Sequence, residues 1–130
     1  MNKLGPYELD NIYIGDAREL AKSIPDGSID MIFTDPPYSK EFLPLYEWLA
    51  MLGKRVLKEG GSLFALSGGT WFPQVLDLLR IYLDYHWICC LYHPTVTNSY
   101  RAFHKRLDNY WKPILWFTKG KYRGPYVADG

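Results

Sequence analysis

Four consecutive residues carry the most chemistry in this chain: Asp35, Pro36, Pro37 and Tyr38. The Asp35 carboxylate is a hydrogen-bond acceptor, and so is the Pro36 carbonyl. The two proline rings restrict the backbone torsions and hold that carbonyl in place. Tyr38 adds an aromatic face on which a base can stack. Such a set suits one difficult task. The exocyclic amine of adenine is a poor nucleophile, because its lone pair is delocalised into the ring. Two acceptors gripping its N–H groups draw the nitrogen toward tetrahedral geometry and free the lone pair. A turn held by prolines preorganises the grip before substrate arrives. The plainer reading is a stiffened turn with Asp35 as a local cap. Stiffening alone requires neither the acid before the prolines nor the aromatic after them.

The elements around this turn must present it. Ile29–Thr34 (IDMIFT) is nearly continuous in apolar character and runs directly into Asp35, so it reads as a buried parallel strand. Upstream, Asn11–Gly15 (NIYIG) reads as a short strand. Asp16 follows at an N-cap position for a helix over Ala17–Ile24, stopped by Pro25. Downstream, Pro44–Leu57 has Leu45, Leu49, Leu52 and Val56 at helical spacing, with Gly60-Gly61 as cap and turn. Ser62–Leu66 is a third strand, and Thr70 caps a helix over Trp71–Leu83. His86–Tyr92 and Tyr110–Thr118 are the last two strands. The alternation predicts an open α/β sheet, mostly parallel. The final strand follows a loop rather than a helix, so it is expected antiparallel. Asp16 and Asp35 both fall at the carboxyl ends of strands, where such sheets bind ligands.

The chain has 130 residues and 22% charged residues, the size and polarity of one globular domain. Its longest apolar run is Trp87–Tyr92, far short of a membrane span, and the N-terminus lacks a secretory pattern. A soluble cytoplasmic chain with no membrane partner is expected. Cys89 and Cys90 are adjacent, so they point to opposite faces of a strand and form no metal pattern with His93; buried structural thiols are expected. Trp48, Trp71, Trp87 and Trp116 lie inside predicted elements and read as core. Charge is lopsided: residues 101–123 hold seven lysines and arginines against Asp108 alone. In the loop SYRAFHKRLDNYW, Arg101, Lys105 and Arg106 alternate with Tyr100, Phe103 and Tyr110. Basic groups neutralise phosphates and rings stack on unpaired bases, although a solvated basic face has the same composition.

The whole pattern resembles the S-adenosylmethionine-dependent DNA amino-methyltransferases, and in particular the adenine-specific ones. IYIGDARELAKSIPDGSIDMIFTDPPYS is similar to their strand-Gly-Asp-helix-strand-DPPY unit. KRVLKEGGSLFALS and WKPILWFTKGKY resemble their later helix-to-strand segment and late antiparallel strand. The resemblance implies a Rossmann-like methyltransferase sheet with one antiparallel late strand. It implies S-adenosylmethionine as methyl donor, DNA as partner, and a prokaryotic or phage-encoded restriction-modification setting. Asp35, Pro36, Pro37 and Tyr38 become the catalytic motif. Asp16 and Asp35 become cofactor contacts, and Tyr38, Arg101, Lys105 and Arg106 contact nucleic acid. No metal is implied. Asp35 rather than Ser favours adenine over the cytosine-amino branch; RNA or glutamine methyltransferases and a non-catalytic remnant are the rivals.

One family feature is absent, the Phe-x-Gly-x-Gly cofactor loop. In one permuted class that loop follows the DPPY motif and the DNA-recognition region. The expectation is therefore the N-terminal portion of such an enzyme, incomplete and inactive alone. Strand 11–15 is then expected to move in and pair with strand 29–34, or another chain to cover that edge by self-association.

Overall fold

A computed structural model describes residues 2–94 and 105–128 of the chain. A small antiparallel hairpin of β1 (Lys3–Leu4) and β2 (Tyr7–Glu8) opens it. Helix α1 (Ala17–Leu20) follows and tightens into a 3₁₀ turn over Ala21–Ser23. Then come β3 (Ile29–Thr34), α2 (Leu43–Val56), β4 (Leu57–Leu66), α3 (Phe72–Arg80), β5 (Asp84–Tyr92) and β6 (Trp111–Thr118). The main sheet has the order β3-β4-β6-β5. β3 and β4 are parallel, and β6 runs antiparallel to both β4 and β5. Three strands thus share one direction and the late strand is reversed, as the sequence predicts; its place between β4 and β5 is seen only in the structure.

Both long helices pack together on one face of the sheet. Alternation within the strands decides which residues they cover. Leu63 and Ala65 of β4 lie opposite Phe117 and Leu115 of β6, and all four are fully buried. Tyr46, Leu49 and Ala50 of α2 and Val75 and Leu79 of α3 close over them. The buried stripe of α2 keeps Leu49 and Val56 from the predicted set and adds Tyr46, Ala50 and Gly53. α3 is shorter than predicted, and no side chain caps it.

The opposite face carries a chain of rings. Phe33 stands 6.3 Å from Phe64, Phe64 is 5.0 Å from Trp116, and Trp116 is 4.3 Å from His86. Tyr122 closes on both His86 and Trp116 at 5.0 Å. Trp116 is buried and donates through Nε1 to Ser62 at 2.9 Å. Trp87 is half exposed, because β5 is an edge strand. For the same reason Cys90 is exposed and Cys89 only half-buried, so the expectation of two buried thiols fails.

Two further expectations fail for local reasons. Gly60-Gly61 does not cap α2, which passes directly into β4 at Leu57. The pair lies inside β4 at an irregularity, where Ile29 faces Leu57 but Met31 already faces Ser62. Gly60 adopts φ +78 there and donates to Lys119 O at 2.6 Å. The second concerns Asn11–Gly15, which is not a strand and does not pair with β3. Ile12 is 88% and Ile14 98% exposed. Its polar groups turn to local partners instead: Ile12 N donates to Asn11 Oδ1, and Tyr13 Oη accepts from Glu8 N. Strand composition alone does not bring a segment into a sheet; the tertiary surroundings decide. Met31 and Phe33 therefore remain 57% and 61% exposed on the β3 edge.

Candidate functional site

β3 ends at Thr34, and the next four residues run clear of the sheet. Proline at 36 and 37 supplies no N–H for a ladder, so pairing stops there. Asp35 is exposed rather than turned inward, and Tyr38 donates its hydroxyl to Asp35 Oδ1. Among the described residues no backbone group donates to the Pro36 carbonyl. Asp35 thus lies exposed beyond the strand end, and Pro36 beside it is half-buried.

The loop after β4 forms the wall beside them. Gly68 lies so close to Tyr38 that a Cβ there would stand 3.1 Å from Tyr38 Cβ and 3.3 Å from Cγ. A side chain at 68 would make Tyr38 give way by a few tenths of an ångström, so glycine allows this close contact without a shift. Tyr46, buried in α2, donates to Leu66 O at 2.9 Å and anchors the start of this loop. Burial, and after it the Asp35 charge, pushes the Tyr46 phenol well above the ordinary tyrosine range, while Ser67 acts in the opposite sense. Tyr46 is therefore a neutral donor at any physiological pH. The Lys112 ammonium stands over the Tyr38 ring, 5.2 Å from its centroid. Lys40, two residues beyond Tyr38, stands 5.6 Å from the centroid of Trp71.

Asp16 caps α1, accepting from Arg18 N at 2.9 Å, as the sequence predicts. The Arg18 guanidinium also grips both carboxylate oxygens, at 3.2 and 3.0 Å. That hydrogen-bonded cation, and then the backbone N–H, holds the Asp16 carboxyl below its usual value of 3.8. The position of α1 is fixed from α2, where Arg55 donates to Ala21 O at 2.7 Å, Ile24 O at 2.6 Å and Asp26 Oδ1 at 2.8 Å. Asp16 thereby comes to share one cleft of ≈ 670 Å³ with Thr34, Pro36, Pro37, Phe42 and Trp48. Asp35 does not line it. Asp16 thus comes near the proline turn although, contrary to expectation, it follows no strand, and Asp35 is not in the same cleft.

Of the predicted nucleic-acid contacts, Lys105 and Arg106 are exposed, and Arg101 lies outside the described residues. Gly68, Tyr46, Lys112, Lys40 and Trp71 were not anticipated. Of these the sequence singles out Trp71, and reads it as core rather than as part of the site. The others reach the turn through strand pairing and loop packing. Among the described residues, no helix is long and apolar enough to cross a membrane.

No family model matches the chain. Two curated relatives do. The type II methyltransferase M.BamHI of Bacillus amyloliquefaciens is 32% identical over 108 residues, covering 68% of this chain and 25% of the relative. The type II methyltransferase M.BglII of Bacillus subtilis is 37% identical over an alignment of 136 residues, covering 85% of this chain and 36% of the relative. The chain thus spans between a quarter and about a third of these proteins' length. Among solved structures, the cytosine-N4-specific PvuII DNA methyltransferase superposes with a TM-score of 0.70 at 19% identity, over 85% of this chain and 49% of that one. TTHA0409 of Thermus thermophilus, described as a DNA modification methylase and complexed with S-adenosyl-L-methionine, gives 0.67 at 22% identity, over 87% and 55%. By sequence the chain is homologous to part of the type II DNA methyltransferases, and its fold, a mixed α/β sheet with one reversed late strand, is the one found within such methylases.

Proposed function

We propose that this chain carries the methyl-acceptor half of a DNA amino-methyltransferase site, acting on the exocyclic amine of a flipped adenine. One observation supports the reading: Asp35 is exposed just beyond the end of β3 and accepts from the Tyr38 hydroxyl, with Pro36 next to it in the chain. An extruded base stacks on Tyr38. Asp35 and the Pro36 carbonyl accept its two N–H groups and free the nitrogen lone pair. The hydrogen bond from Tyr38 leaves Asp35 with acceptor capacity for the amine, since a carboxylate has about four lone-pair sites. S-adenosylmethionine, when bound, would supply an electrophilic methyl carbon, whose bond to the sulfonium sulfur breaks as the amine nitrogen bonds to it, leaving a neutral thioether. Asp35 is placed to take the surplus proton from the methylated nitrogen. The cleft between Asp16 and the proline turn is the side from which that donor would approach, with Asp16 as a contact inside it and Asp35 outside it, meeting the donor only at the methyl end. Lys105 and Arg106, with Arg101, supply phosphate contacts to DNA.

The cytosine-N4 specificity of the PvuII enzyme, whose fold this chain shares, supports a second reading in which the amine belongs to cytosine. The chemistry is the same, and the product tells the two apart. The test is a chimera in which this chain replaces the matched third of M.BglII, incubated with DNA and labelled S-adenosylmethionine. The expected result is N6-methyladenine in the digested DNA, lost on Asp35→Ala. N4-methylcytosine would establish the second reading. A folded, cofactor-binding chimera that labels no DNA would refute both.

A further inference from the structure

Two aromatic rings, each with a lysine ammonium over its face, stand at the ends of the parallel pair β3 and β4. One is Tyr38 with Lys112 at 5.2 Å. The other is Trp71 with Lys40 at 5.6 Å. The proposed function uses the first ring alone. Both pairs draw on the same two loops: Lys40 follows Tyr38 by two residues, and Trp71 follows Gly68, which touches Tyr38, by three. Three residues of chain span at most about 11 Å, so the second ring lies within a few nucleotide steps of the first. Trp71 is half-buried rather than core, and Lys40 is exposed.

From this juxtaposition, and resting on the reading of Tyr38 as a base platform, we infer that Trp71 and Lys40 form a second nucleotide subsite, which binds the base next to the target in a single-stranded stretch. A ring with an adjacent cation is the minimal unit for one nucleotide. The base stacks on the ring, and the ammonium turns from the ring to the neighbouring phosphate. An exposed cation–ring contact is weak enough for a base to displace. Two such units in succession favour an unpaired dinucleotide over a mononucleotide, whatever its bases, because every base has a face to stack.

Binding of 5′-deoxyadenylate and of the dinucleotide pdApdA to the 130-residue chain, followed by NMR titration at low salt, tests the inference. The dinucleotide should bind about tenfold more tightly, in keeping with one added stacking contact. Trp71→Leu should bring the dinucleotide back to the mononucleotide's affinity and leave the mononucleotide unaffected. Lys40→Ala, at an exposed site that does not bear on folding, should weaken the dinucleotide and flatten its salt dependence. Equal affinities in the native chain, or a tenfold gain that survives both substitutions, would overturn the second subsite alone. A mononucleotide whose binding is indifferent to Tyr38→Leu would overturn the base-platform reading instead, while a Trp71-dependent gain would still stand. A chain that binds neither probe would overturn both.

Discussion

Tyr38 donates its hydroxyl to Asp35 across the two prolines, so acceptor and stacking platform are tied into one unit. The tie orients the carboxylate without consuming it. In the chimera described above, Asp35→Asn should lower kcat by about 10²–10³-fold, the usual loss when one preorganised polar group at the reacting atom is removed. Tyr38→Phe keeps the ring and should cost far less than Tyr38→Ala, which removes a stacking contact of about 1–3 kcal/mol. Steady-state kinetics of the three variants checks the order. Equal losses for Tyr38→Phe and Tyr38→Ala would show that the hydroxyl, not the ring, matters.

Arg55 holds the turn that places Asp16. Its guanidinium bonds to two main-chain oxygens and to Asp26, and its side chain is about two-thirds buried. Arg55→Ala should destabilise the fold by about 2 kcal/mol, since the Ala21 and Ile24 carbonyls lose a charged donor. Urea unfolding measures this. Arg55→Lys should recover little of it, because one ammonium cannot reproduce the fork. Full recovery would argue that charge alone suffices.

The Asp16 carboxyl titrates below its usual 3.8 because Arg18 grips it. A depressed folded value means stability that is present above pH 3.8 and is lost as pH falls through the folded value. Arg18→Ala should therefore raise the Asp16 value toward 3.8, seen by NMR titration of its carboxyl carbon, and shift the acid limb of unfolding upward. Because both groups are exposed, the effect on stability at neutral pH should be small. An unchanged titration would show that the cap N–H alone sets the value.

The β3 edge exposes Met31 and Phe33, and no strand among the described residues pairs with it. Such an edge is a template for another strand. We propose that a second copy of the chain covers it in isolation, and sedimentation should show concentration-dependent association. A charge on the edge should block pairing, so Phe33→Lys should return the chain to monomer. A native chain that stays monomeric at millimolar concentration would overturn this.

The Asp-Pro-Pro-Tyr turn was legible in the sequence because its chemistry is local: each residue contributes a group whose role follows from its own covalent structure. The Asp16 cap, β3 and the reversed late strand were legible for a similar reason, since capping groups, apolar runs and connection types act over a few residues. Non-local contacts decided the rest. NIYIG has the composition of a strand, yet it stays out of the sheet, and polar groups of the segment bond to near neighbours instead, Ile12 N to Asn11 Oδ1 and Glu8 N to Tyr13 Oη. Gly60-Gly61 looks like a helix cap but serves an irregular strand against Lys119, a residue far along the chain just past the end of β6. Lys112 reaches Tyr38 because β6 lies beside β4, and Arg55 reaches Ala21 because α2 packs back on the first turn. Which groups surround the turn is a property of strand order and helix packing, and these depend on burial summed over the whole chain rather than on any short stretch of it.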